Sequence, residues 1–171
     1  MELLKERIRK EGKVLPGGII KIDGFLNHKV DTQLLAAMAE EFEKHFDLSQ
    51  ATVVLTAEAS GIALATLCAN RYGLPLIYAK KAKSDNIEGG LLRSEIYSYT
   101  YKKKVTLLVS AEWLKPTDKV FIVDDFLANG EALRGLCEIV SGAGAELIGV
   151  GVAVEKGFQP GGAKLREAGV N

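Results

Sequence analysis

Two adjacent carboxylates, Asp124 and Asp125, stand directly after an unbroken apolar run, Val120-Phe121-Ile122-Val123. A small-residue stretch, Ala128-Asn129-Gly130-Glu131-Ala132, follows them. The run reads as a buried strand, residues 124–130 as a turn and residues 131–140 as a helix. In open parallel sheets, ligands sit outside the carboxyl ends of the strands. A turn that opens a helix there offers backbone N–H groups and the positive end of the helix dipole to a phosphate. Two carboxylates so close by would repel that phosphate unless they face another group. Sugar hydroxyls are suitable, because they donate to a pure acceptor. The arrangement suggests a cradle for a ribose 5-phosphate. Two other readings of the same spacing stay open: an acidic strand end before an ordinary capped helix, and a receiver-like domain whose acids gather around magnesium.

Such a cradle needs a sheet to carry it, and the rest of the chain supplies the pattern. Residues 2–10 read as an amphipathic helix with Leu4 and Ile8 on one face and Gly12 as its stop. A turn, Leu15-Pro16-Gly17-Gly18, precedes a short extended piece, Ile19-Ile20-Lys21-Ile22. Asp31 is suited to cap a helix reaching about Phe46, with Leu34, Leu35, Met38 and Phe42 at helical spacing. Residues 52–56 read as a buried strand, Ala57-Glu58-Ala59-Ser60-Gly61 as a turn, and residues 62–71 as a helix ended by Gly73. Further strands are expected over residues 76–78 and 147–154. Strands alternating with helices indicate an α/β fold with a doubly wound, mainly parallel sheet and flanking helices. Residues 93–110 depart from that rhythm and read as an antiparallel ribbon, after a Lys- and Gly-rich stretch over residues 80–90 with neither period. The chain reads as a single domain over residues 1–171.

The composition narrows the function classes. The 171 residues carry 22 Lys+Arg and 22 Asp+Glu, for a net charge of zero. That argues against partners gripped by broad electrostatics, such as duplex DNA or an anionic membrane surface, while leaving room for a local phosphate site. No apolar run approaches the ~20 residues of a membrane span. The first residues, Met1-Glu2-Leu3-Leu4-Lys5-Glu6-Arg7, lack a signal peptide's apolar core. Cys68 and Cys137 fall within helices without ligand-like spacing and read as small core residues, which disfavours a disulfide scaffold or a structural zinc. A reduced, cytoplasmic protein is expected. Lys80, Lys81 and Lys83 suit a solvated face, Tyr97, Tyr99 and Tyr101 one face of the ribbon, and Trp113 a packed loop anchor.

Residues 120–133 resemble the phosphoribosyl-diphosphate (PRPP) motif of the type I phosphoribosyltransferases: an apolar strand, two acids and a small-residue loop. Asn129 and Ala132 stand where the commonest form carries threonines, and Glu131 replaces a frequent glycine. The backbone cradle is unaffected by those departures. Lys21-Ile22-Asp23-Gly24-Phe25-Leu26-Asn27-His28-Lys29 and Val154-Glu155-Lys156-Gly157-Phe158-Gln159-Pro160-Gly161 are similar to segments of the bacterial xanthine phosphoribosyltransferases.

The resemblance implies a role for each matching residue. Asp124 and Asp125 would hold the ribose hydroxyls beside the reacting carbon. Ala128, Asn129, Gly130, Glu131 and Ala132 would hold the 5′-phosphate, with Gly130 letting the turn approach it closely. Ala59 and Ser60 would belong to the pyrophosphate loop, which Lys81 would reach as a point charge. Ile20, Asn27 and Lys156 would contact the purine. Residues 83–94 would form a flap, and hood elements would come from about residues 1–30 and 155–171. The implied activity joins xanthine to PRPP in purine salvage, with magnesium bound through the pyrophosphate of PRPP and no metal held by protein ligands. The implied partners are these small molecules and a second copy in a homodimer, with no nucleic acid and no membrane. The alternatives are a guanine or hypoxanthine phosphoribosyltransferase, and a PRPP-sensing regulator that binds nucleic acid.

Overall fold

A computed structural model of the protein describes residues 1–82, 90–98 and 103–171. The chain runs α1 (Glu2–Glu11), β1 (Lys13–Leu15), β2 (Ile19–Lys21), α2 (Thr32–Glu43), β3 (Val53–Ala57), α3 (Gly61–Tyr72), β4 (Leu76–Ala82), β5 (Leu91–Ser98), β6 (Lys103–Ser110), β7 (Lys119–Leu127), α4 (Glu131–Gly142), β8 (Glu146–Glu155) and α5 (Gly161–Glu167). Six strands form one sheet in the order β5-β6-β4-β3-β7-β8. β3 pairs in parallel with β4 and β7, and β7 with β8. β6 is antiparallel to β4 and β5, as the ribbon reading expects.

The inner strands are buried on both faces, which is why their sequences run apolar without alternation. All five residues of β3 are buried. Along β7, Phe121 and Val123 face one core with α2 and α3, where Leu35, Met38, Leu64 and Cys68 pack. Val120 and Ile122 face the other, with Leu133, Leu136 and Ile139 of α4. α2 starts where expected, with the Asp31 carboxylate accepting from Leu34 N at 3.1 Å. Gly73 ends α3 in the left-handed region, with φ +67°. Burial pushes the Cys68 thiol up to about 12, in keeping with a core role.

Several boundaries differ from the sequence reading. β7 continues through both aspartates to Leu127, because β8 pairs with it beyond Val123: Asp124 opposes Val152, Phe126 opposes Val154 and Leu127 opposes Glu155. The turn before α4 shrinks to residues 128–130. α2 stops at Glu43 rather than near Phe46. Residues 13–21 form an antiparallel hairpin, where only its second strand is readable from composition; Gly17 and Gly18, at φ +82° and +73°, make its turn. β4 carries Lys80 and Lys81 to the end of a strand, and Leu91 to Ser94 of the expected flap belong to β5. Residues 83–89 of that flap, Tyr99 and Tyr101 lie outside the described residues. Trp113 is 66% exposed, whereas its neighbour Leu114, at 2%, anchors the loop. Among the described residues, no helix is long and apolar enough to cross a membrane.

Candidate functional site

The carboxyl ends of β3, β4 and β7 bring the chemistry-bearing residues together. After β7, residues 128–130 lead into α4, whose N-cap, Gly130, has φ +82° and supplies no side-chain cap. The first N–H groups of α4 are therefore left for a ligand. A cavity of about 190 Å³ opens there, lined by Ala128, Asn129, Gly130, Glu131, Ala132 and, from β4, Lys81. Phe126 lines it as well. Period-two alternation would set Phe126 with Val120 and Ile122, whereas it packs against the core of Phe121 and Val123, so its place at the cavity is not readable from the strand pattern.

A side chain on Gly130 would not enter the phosphate space first, because its Cβ would stand 3.0 Å from Gly161 Cα at the start of α5. The turn and α5 meet backbone to backbone: Gly161 N donates to Ala128 O at 3.0 Å, and Lys156 N to Leu127 O at 2.9 Å. Gly161 thus seats the cradle from behind.

The two aspartates are both buried yet differ in surroundings, at 6% exposure for Asp124 and 4% for Asp125. Asp125 accepts from Ser60 Oγ at 3.0 Å and from Asn27 Nδ2 at 3.3 Å. Asp124 accepts through Oδ1 from Asp125 N at 2.9 Å. Burial, and then the neighbouring Asp125 charge, push the Asp124 carboxyl well above the usual carboxylate range; the charge of Lys81 opposes them. The Thr56 hydroxyl is buried without a hydrogen-bond partner among the described residues. A Cβ on Gly61 would press on that hydroxyl and lie 2.8 Å from Asp124 Oδ1, so glycine lets α3 begin close against both side chains.

The β3–α3 turn holds Ala59 and Ser60. Ser60 sits at the N-cap of α3 but gives its hydroxyl to Asp125, so α3, like α4, starts without a side-chain cap. The Glu58 carboxylate turns aside to accept from Lys81 N. Two uncapped helix starts thus flank the aspartate pair, one at each of two neighbouring strand ends.

The expected purine contacts come from other elements. Lys156 directly follows β8, with its ammonium 5.5 Å from the centroid of the Phe126 ring. Asn27 is tied to Asp125, as above. Ile20 lies half-buried on β2 against the core of α1 and α2. The hairpin and the turn after β8 touch where Phe158 crosses Gly18. Glu131 departs from the expected pattern in one respect: its carboxylate turns to Arg134 and Tyr97 N, leaving its own N–H as its offering to the cradle.

Residues 26–166 match the family described as the phosphoribosyl transferase domain. The chain is 47% identical to a xanthine phosphoribosyltransferase of Lachnoclostridium phytofermentans, over 100% of this chain and 88% of that protein. It is 49% identical to one of Shouchella clausii, over 99% and 85%. In structure it resembles an adenine phosphoribosyltransferase of Giardia lamblia solved with 9-deazaadenine, with a TM-score of 0.80 at 24% identity, covering 96% of this chain and 91% of that one. The uncapped helix starts, the paired aspartates and these likenesses agree: the chain belongs to the type I phosphoribosyltransferase family.

Proposed function

We propose that the protein transfers the phosphoribosyl group of PRPP to xanthine in purine salvage, releasing xanthosine 5′-monophosphate and pyrophosphate. The observation that carries this reading is the convergence on Asp125. Asn27 from the segment before α2, Ser60 from the β3–α3 turn and the acid itself from β7 meet at one carboxylate. They are the purine, pyrophosphate and ribose segments of the same reaction. Relatives near half identity that carry the xanthine name support the choice of base.

In the reaction, a bond forms between the purine nitrogen and the anomeric carbon as the bond from that carbon to the pyrophosphate oxygen breaks, the bonding pair leaving with pyrophosphate and the proton of that nitrogen passing to solvent. Positive charge develops on the sugar ring. The N–H groups of residues 128–132 and the Asn129 amide hold the 5′-phosphate, and Asp124 and Asp125 hold the ribose hydroxyls. Negative charge on this pair faces the developing cation. Ala59, Ser60 and Lys81 receive the pyrophosphate. Ile20, Asn27 and Lys156 orient xanthine, with the lysine donating toward the oxygen at purine position 2. Magnesium bound to the pyrophosphate of PRPP would come with the substrate and would neutralise the leaving group. The protein's own carboxylates suit that arrangement, since Asp125 and Glu58 already accept from protein donors. No nucleophilic side chain is required; positioning and electrostatics supply the catalysis.

The protein works in the cytoplasm as a homodimer. Sedimentation should give twice the chain mass, and a monomer at assay concentration would refute that part. Incubation with magnesium-PRPP and each purine in turn should release pyrophosphate fastest with xanthine. No release with xanthine, guanine or hypoxanthine would overturn the reading.

A further inference from the structure

Resting on that reading, we propose that Arg134 is a positioning residue that keeps the Glu131 carboxylate out of the 5′-phosphate cradle. Glu131 is the first residue of α4 and lines the cavity of the cradle. The helix start that attracts a phosphate attracts any anion, and the nearest one is the helix's own first side chain. No side chain caps α4, so its free N–H groups are open to that carboxylate. A glutamate at this place is thus a built-in competitor for the phosphate site, and a negative charge beside it.

Arg134 removes it by geometry. One turn along α4, Nη2 donates to Glu131 Oε2 at 3.0 Å and to the Glu95 carbonyl of β5 at 2.9 Å. Nη1 pairs with Glu138, whose other oxygen accepts from Ser94 Oγ at 2.6 Å. The guanidinium is held from both sides before it meets Glu131. Tyr97 N completes the hold on the same Oε2 at 3.2 Å. The Glu131 carboxyl lies below the usual carboxylate range, chiefly through Arg134. A lysine has one donor group where arginine has a planar fork, and could not grip β5 and two glutamates together.

The test uses Arg134→Met, Arg134→Lys and the double variant Arg134→Met/Glu131→Gln in the full chain. Arg134→Met should raise KM for PRPP about five- to tenfold at low ionic strength, an effect that shrinks as salt is added. The kcat and the KM for xanthine should stay within about twofold, since neither the purine contacts nor the aspartates are touched. Adding Glu131→Gln should recover most of the lost PRPP affinity, because an amide carries no charge to set against the phosphate. Arg134→Lys should fall between wild type and Arg134→Met. If Arg134→Met fails to fold by circular dichroism, Arg134→Lys with and without Glu131→Gln carries the same comparison. An unchanged KM for PRPP would overturn the proposal, as would a double variant no better than the single one; the latter would mean that Arg134 merely fastens β5 to α4. A wild-type protein that binds no PRPP would instead remove the parent reading, so the two failures are distinct.

Discussion

Asp124 and Asp125 are neighbours in sequence and unequal in chemistry. Asp125 has two side-chain donors, while Asp124 lies in the interior under Gly61, with its carboxyl pushed well above the usual range by burial and by Asp125. A folded state that raises a carboxyl pKa binds the proton more tightly than the unfolded chain does. Stability conferred by the protonated form is therefore full below about pH 4 and declines as pH rises toward the folded-state value. Asp124→Asn removes the ionisation and keeps an acceptor for Asp125 N. The variant should match wild type in thermal midpoint near pH 4 and exceed it at pH 7 to 8. Equal midpoints across that range would show that the buried charge costs nothing. Its turnover should fall more than its PRPP affinity, because the charge matters most to the cationic transition state. Lys156 carries a second residue-scale prediction. Xanthine offers an oxygen at purine position 2, guanine an amino group and hypoxanthine only hydrogen, and an ammonium can only donate. Lys156→Ala should keep PRPP binding and lose roughly tenfold or more of the xanthine preference. Unaltered kcat/KM ratios among the three purines would show that this lysine does not read the base.

At the scale of elements, the site depends on strand ends and helix starts held at close approach, and glycines mark the places. Gly61→Ala should leave α3 seated less well against Thr56 and Asp124. The expected loss is about 1–3 kcal/mol of stability, as for other overpacked sites, together with weaker PRPP binding. A variant with wild-type unfolding midpoint and wild-type PRPP affinity would refute that packing. These elements were legible in the sequence to unequal degrees. The buried runs of β3 and β7 and the Gly73 stop announce strand and helix directly, because burial on both faces leaves no polar position to confuse the period. The extension of β7 through Asp124 and Asp125 was not legible. Aspartate disfavours strands in isolation, and only the later pairing with β8 overrides it. The hydrogen bond from Asn27 to Asp125 joins residues 98 positions apart, so no local pattern could disclose it. The Glu131–Arg134 pair was available at helical i,i+3 spacing, yet what gives it meaning is the cavity on one side and β5 on the other.

For the whole molecule, zero net charge leaves no broad field, so on the proposed reading recognition of an anionic substrate would fall to local devices: two helix starts, Lys81 and the backbone of residues 128–132. PRPP would span those devices, touching the ends of β3, β4 and β7 at once, whereas xanthine would touch the segments bearing Ile20, Asn27 and Lys156. A ligand that binds only the folded state stabilises it by mass action, by about 2.7 kcal/mol at a hundredfold excess over Kd. For a domain of this length each kcal/mol moves the midpoint by about 2–4 °C, so that stabilisation corresponds to a rise of roughly 5–10 °C. Magnesium-PRPP at that excess should therefore raise the unfolding midpoint by roughly 5–10 °C. Xanthine alone should raise it less at equal concentration, because without the ribose Asn27 stays engaged by Asp125. If ribose hydroxyls occupy Asp125, the Asn27 amide would be released toward the purine, and the two ligands together should stabilise more than the sum of their separate shifts. Calorimetric scans with each ligand and with a non-reacting PRPP analogue plus xanthine measure the three shifts. Strict additivity would show that Asn27 does not couple the two halves of the site.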